Sequence, residues 1–135
     1  MKYASFVWMT ILAVSFGAAA SPKEGISDTK WEKAKQSYIT LLSETNAGVK
    51  TSAANFIRIY NIVEAADALK EVLLYDNCEA VKVAAALALL HIAGEEGKTA
   101  IKNALATEEN EVIIAFYKTI LNSHSQKSGL PISQN

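Results

Sequence analysis

The sequence predicts an all-α domain, a short α-solenoid of about three antiparallel helix pairs. Three observations carry this. The only two prolines, Pro22 and Pro131, lie outside the patterned region. Between them, apolar residues recur at helical spacing in six runs separated by short polar breaks. The runs also align with one another at a spacing of 31 to 32 residues, the mark of helix pairs that stack because none buries its apolar face alone.

The elements follow in order. Trp31, Ala34, Tyr38, Leu41 and Leu42 form the apolar stripe of a first helix, with Ser27 or Asp28 placed to cap its start. "SETNAG" breaks it, and a second helix runs from about Val49 to Tyr60. A third carries Ala65, Ala66, Leu69, Val72 and Leu73 on one face and stops at "YDN". The fourth is "AVKVAAALALLHIAG", Ala80 to Gly94, in which Lys82 is the only full charge at neutral pH. A surface helix has one polar face; this one is apolar almost all round, so it belongs in the middle of a stack. Gly94 suits its C-terminal cap. A fifth helix shows Ala100, Ile101, Ala104 and Leu105, "TEEN" breaks it, and a sixth runs from about Glu111 to Asn122. The polar stretch 123–135, with Gly129 and Pro131, reads as a disordered tail.

Setting Val49 on Val81, an offset of 32, brings Lys50 onto Lys82, Ala53 and Ala54 onto Ala85 and Ala86, and Tyr60 onto Ile92. Setting Val81 on Val112, an offset of 31, brings Ala85 onto Phe116, Leu89 onto Ile120 and Leu90 onto Leu121. The central copy carries Val81, Lys82, Ala85, Ala86, Ala88, Leu89, Ile92 and Gly94 in the order Val-basic-x-x-Ala-Ala-x-Ala-Leu-x-x-Ile-small-Gly. That pattern resembles the HEAT-like repeats of the phycobilisome-lyase type, an armadillo-like arrangement. The resemblance covers about Asp28 to Asn122, with Asn46, Cys78 and Glu109 where the family usually has Asp. It implies a scaffold or binding surface, by analogy of fold alone.

The N-terminus has the layout of a secretory signal. Lys2 precedes an uncharged apolar stretch from Phe6 to Phe16, and Ala18, Ala19 and Ala20 offer a cleavage site. The expected organisation is a signal at 1–20, a linker at 21–27, the helical domain at 28–122 and the tail at 123–135, in a periplasmic or secreted protein. Removing 20 of the 135 residues leaves 115, with Lys+Arg lowered from 13 to 12 against 14 Asp+Glu, a formal balance of −2. That balance, with no basic cluster among aromatics, argues against nucleic acid and against an anionic membrane surface; no membrane insertion is expected after cleavage. Cys78 is the only cysteine, so the fold stands on packing without an internal disulfide.

No chemistry-bearing motif emerges. His91 and His124 are far apart in sequence, with no Cys/His spacing for zinc. No nucleophile elbow or phosphate loop is present. "GEEGK" (94–98) and "TEENE" (107–111) read as turns of solvated charge. No metal, no cofactor and no catalytic residue is expected.

The informative contrast lies within the central helix. At about 100° per residue, Val81, Ala85, Ala88, Leu89 and Ile92 form one stripe, matched by Val49, Ala53, Phe56, Ile57 and Tyr60. This is the packing face. The opposite stripe is Val83, Leu87 and Leu90; its counterparts are Thr51, Asn55 and Arg58 in the first copy and Ile114, Lys118 and Leu121 in the third. Burying such side chains is worth about 1.5–3 kcal/mol each, so the stripe is either core or an interaction patch. Val83, Leu87 and Leu90, with Arg58 and Lys118 beside them, are the candidate patch for a partner protein or self-association. Lys50 and Lys82 are further cations available to an acidic partner. A carrier of a small apolar ligand is the alternative; an enzyme is disfavoured because a site needs convergent polar groups.

Overall fold

The computed structural model describes residues 25–127. The segment read as a signal, most of the expected linker and residues 128–135 lie outside them. The described residues form helices α1 (Asp28–Leu41), α2 (Ala47–Ile59), α3 (Ala66–Tyr75), α4 (Glu79–Thr107) and α5 (Glu111–Lys127), with a 3-10 turn at Val63–Ala65 ahead of α3. There is no strand among them. α5 continues through 123–127, residues read from sequence as tail. Their polarity misled: Ser123 and Ser125 turn their hydroxyls back to the carbonyls of Ile120 and Leu121, which a helix accommodates.

The fourth and fifth predicted helices are the two arms of α4, residues 79–93 and 95–107. The break is Gly94, at φ +48° and ψ −116°, a conformation open to glycine and rarely to L side chains. Beyond it the second arm passes close to the first. A Cβ added at Gly97 would lie 2.5 Å from the Leu89 carbonyl oxygen and 2.9 Å from its carbon. Both glycines are thus needed, one to turn the chain and one to let backbones approach. "GEEGK" was legible as a turn, but not as a packing contact.

The central helix is covered as its composition requires. α4 packs against α2, α3 and α5. Val81, Ala85, Ala88 and Leu89 are fully buried, and so is Ala86. The small side chains on both sides of these contacts, among them Ala53, Ala54 and Ala65, allow the helices to approach closely. The equivalent stripe of α2 is less complete. Ala53 and Ile57 are buried, but Val49 and Phe56 are 36% and 40% exposed. α2 has α4 on one side and only α1 on the other, so part of that stripe meets no neighbour. Aromatic contacts stand in for a core there. Phe56 stacks on Tyr60 and tilts against Tyr38 (centroids 5.8 and 5.3 Å apart), and Trp31 meets Tyr60 edge-on at 5.8 Å. α1 covers this end of the domain through Trp31 and Tyr38. Ser27 stands at its N-cap position but makes no side-chain cap hydrogen bond.

The helix starts place the last step of the sequence alignment one residue later. α2, α4 and α5 begin at Ala47, Glu79 and Glu111, a spacing of 32 each time. Their preceding N-cap positions hold Asn46, Cys78 and Asn110. Asn46 Oδ1 accepts the backbone N–H of Val49 (3.1 Å), and Asn110 Oδ1 accepts those of Val112 and Ile113 (2.9 and 3.3 Å). Ile113, not Val112, therefore corresponds to Val81. Ile113 and Tyr117 are fully buried, and Val112 is 62% exposed. Matching valine with valine gave the wrong phase because the cap fixes where a helix begins. In the corrected phase Tyr117 falls where α4 and α2 have Ala85 and Ala53. Its ring enters the core, and its hydroxyl is buried with no hydrogen-bond partner. Burial, with the nearby Glu108 charge, pushes that phenol well above its ordinary range.

A side-chain clasp repeats with the same period. Lys50 on α2 pairs with Asp76, and Lys82 on α4 pairs with Glu108 at 2.5 Å. Each carboxylate lies two residues before an N-cap position. Asp76 also accepts the Cys78 N–H (2.8 Å), and Glu108 that of Asn110 (3.0 Å). Each clasp ties one helix to the turn that starts the next. Neither lysine is available to a partner, and Glu108, read as solvated charge, has a side chain only 7% exposed. Burial alone would raise its carboxyl pKa, but hydrogen bonds from Lys82 and from the backbone at Asn110 and Glu109 outweigh that and hold it below the ordinary value.

A carboxyl held low in the folded state stabilises above its unfolded pKa of about 4.3 and loses that contribution as pH falls through the folded value. Glu108→Gln is therefore expected to destabilise the domain by about 1–3 kcal/mol at pH 7 and to flatten the acid limb of its stability. Urea melts between pH 7 and pH 3 measure both; an unchanged acid limb would remove the clasp from the account. Gly97→Ala is expected to cost about 1–3 kcal/mol through overpacking against Leu89, read as a lower melting temperature. An unchanged melt would show that the arms are not held at this distance.

Candidate functional site

The Val83, Leu87 and Leu90 stripe divides. Leu90 is 5% exposed and belongs to the core, Val83 is half-buried against it, and Leu87 is 37% exposed. The periodicity was sound, but the tight packing around α4 extends over the Leu90 end and leaves Leu87 as the outward residue. In the corrected phase the positions equivalent to this stripe are Thr51, Asn55 and Arg58 on α2 and Ala115, Thr119 and Asn122 on α5. Those three α5 residues are all exposed, and none is a large apolar side chain. α4 is thus the one helix of the three with large apolar groups at these equivalent positions, although α5 brings Val112, Ile113 and Ile120 to the clefts beside Leu87. Lys118 moves off the stripe; it is exposed on α5 and does not line either cleft beside Leu87.

Leu87 forms the ridge between two clefts of about 440 Å³ each. Thr51, Asn55, Glu79, Val83, Val112 and Ile113 line one of them. Its acidic group is engaged, since Asn110 Nδ2 donates to Glu79 at 2.7 Å. Arg58, Leu90, His91, Ile120, Ser123 and His124 line the other. The sequence offered no reason to join the two histidines, which lie at the end of one helix and near the end of another. Bringing the last turns of α2, the first arm of α4 and α5 side by side puts both in one wall with Arg58. Arg58 lies in the last turn of α2, where a positive charge also suits the negative helix end.

Two imidazoles do not make a metal site, and no group of three or more His, Cys, Asp or Glu capable of holding an ion occurs among the described residues. Ser123, beside both histidines, donates its hydroxyl proton to the Ile120 carbonyl at 2.9 Å, so it is not presented to an imidazole as a nucleophile would be. Cys78 is a free, half-buried thiol. A third cleft, of about 280 Å³, lies between α1 and α3 and contains the Lys50–Asp76 clasp.

Comparison with protein-family models, with curated proteins and with solved structures finds no match to this chain. No helix among the described residues is long and apolar enough to cross a membrane.

The division of the stripe has a direct test. Leu87→Asp is expected to leave a folded domain within about 1 kcal/mol of wild type, because its side chain already meets water. Leu90→Asp buries an unpaired carboxylate and is expected to cost several kcal/mol. Circular dichroism melts of the two variants separate these outcomes; equal destabilisation would place Leu87 in the core.

Proposed function

We propose that this chain is an exported HEAT-like helical-repeat domain that serves as a protein–protein interaction or scaffold module, with Leu87 at the centre of its docking face. The observation that carries the reading is the exposed Leu87 ridge, an apolar group between two open clefts on a helix arm whose other leucines are buried. Support for a stacked repeat, an α-solenoid, comes from the 32-residue spacing of three helix starts and from the clasp that recurs with it. Support for export is the signal-like layout of residues 1–20 in the sequence. The reading is of a binding surface rather than an enzyme: the best-lined cleft offers an apolar floor, with its serine hydroxyl committed to backbone.

The interaction reading is tested by comparing the complexes formed by the mature protein, by Leu87→Asp and by Lys33→Glu, a control on the exposed face of α1, after crosslinking in native envelope extract. A discrete complex retained by the control and lost from Leu87→Asp is expected. The same complex with Leu87→Asp overturns the assignment of the face.

A second reading, a carrier for a small apolar ligand, is favoured by the size of the cleft walled by Arg58 and the histidines. Its volume falls in the range usual for small-molecule sites, about 300–1,000 Å³.

A further inference from the structure

We infer that the cleft between Leu87 and His124 binds a small amphipathic carboxylate, a medium-length aliphatic acid whose chain lies on Leu87, Leu90 and Ile120 and whose head group meets Arg58 and His91. This deepens the small-ligand reading and rests on it.

Arg58 and His91 are uncommitted donors over an apolar floor. Five lysines elsewhere in the domain are answered by carboxylates: Lys35 by Glu32 and Glu64, Lys70 by Asp67 and Glu96, Lys98 by Glu95, besides the Lys50 and Lys82 clasps. Arg58 and His91 make no side-chain hydrogen bond or ion pair among the described residues, and no carboxylate lines their cleft. His124 completes the same wall. Its charge is felt by Glu95 on the second arm of α4, whose own carboxyl is held low chiefly by its hydrogen bond to Lys98. The floor is three aliphatic side chains.

A ligand filling this space thus meets hydrocarbon on one side and a guanidinium and imidazoles on the other. A guanidinium presents paired N–H donors matched to a carboxylate, and an imidazole can add another. The cleft across the Leu87 ridge makes the contrast: its charged group is Glu79, so a carboxylate is directed to the Arg58 side.

The test is a titration of the mature protein with decanoate, 1-decanol and decylammonium, followed by backbone amide NMR. Decanoate is expected to bind at least about tenfold more tightly than either other probe, with shifts centred on Leu87, Leu90 and Ile120. Arg58→Gln, a change at an exposed position, is expected to bring decanoate to the affinity of 1-decanol while lowering the melting temperature by no more than the few degrees that losing a helix-end charge costs. Equal binding of decanoate and 1-decanol to wild type overturns the inference and leaves a ligand site without head-group selection. Decanoate binding unaffected by Arg58→Gln overturns it by placing the acid elsewhere. Binding by none of the three at millimolar concentration removes the small-ligand reading as well.

Discussion

The domain depends on covering one helix. The first arm of α4 has Lys82 as its only full charge between Ala80 and Gly94, and water cannot be offered to more than a narrow strip of it. α2 and α3 pack on it, and α5 covers it further. The alanines that run through these contacts lower the apolar area each residue can bury, but they let helix backbones approach closely, which restores contact density. The break at Gly94 and the approach at Gly97 serve the same end, since they return the chain across the helix it has just left.

This arrangement makes polar side chains structural. Lys82 is the single charge in the central stretch, and it is spent on Glu108, whose carboxylate also holds the start of α5. Lys50 and Asp76 do the same one period earlier. A surface ion pair contributes little to stability; these are mostly enclosed and shared with backbone N–H groups, so they set where successive helices begin relative to one another. Clasp and helix start recur at one spacing of 32 residues, with side-chain caps at the first and last starts.

The face around Leu87 is what remains after packing is satisfied. α2 presents Thr51, Asn55 and Arg58 to the clefts there, and α5 presents Val112, Ile113, Ile120, Ser123 and His124. Between them Leu87 stands exposed on a helix arm whose other leucines are buried. Interfaces are often centred on a few apolar groups with a polar surround. The two clefts beside Leu87 differ in charge, one containing the engaged Glu79 and the other Arg58 with two histidines. A ligand or partner would therefore meet a face with a direction.

Much of this was legible in the sequence. Helical periodicity and the scarcity of proline determined the all-helical chain, and the uniform apolarity from Ala80 to Gly94 determined that this helix would be central. The glycine at 94 marked the end of its first arm, because few other residues adopt that backbone conformation. The tertiary structure alone decided which apolar residues are covered. Val83, Leu87 and Leu90 share a stripe by spacing, yet only contact with the neighbouring helices separates buried Leu90 from exposed Leu87. It also decided the phase of the last helix, because Asn110 and not a matching valine begins it, and with that the burial of Tyr117. The meeting of Arg58, His91 and His124 arises from three helix ends placed side by side, and no local pattern along one helix encodes a distance to another.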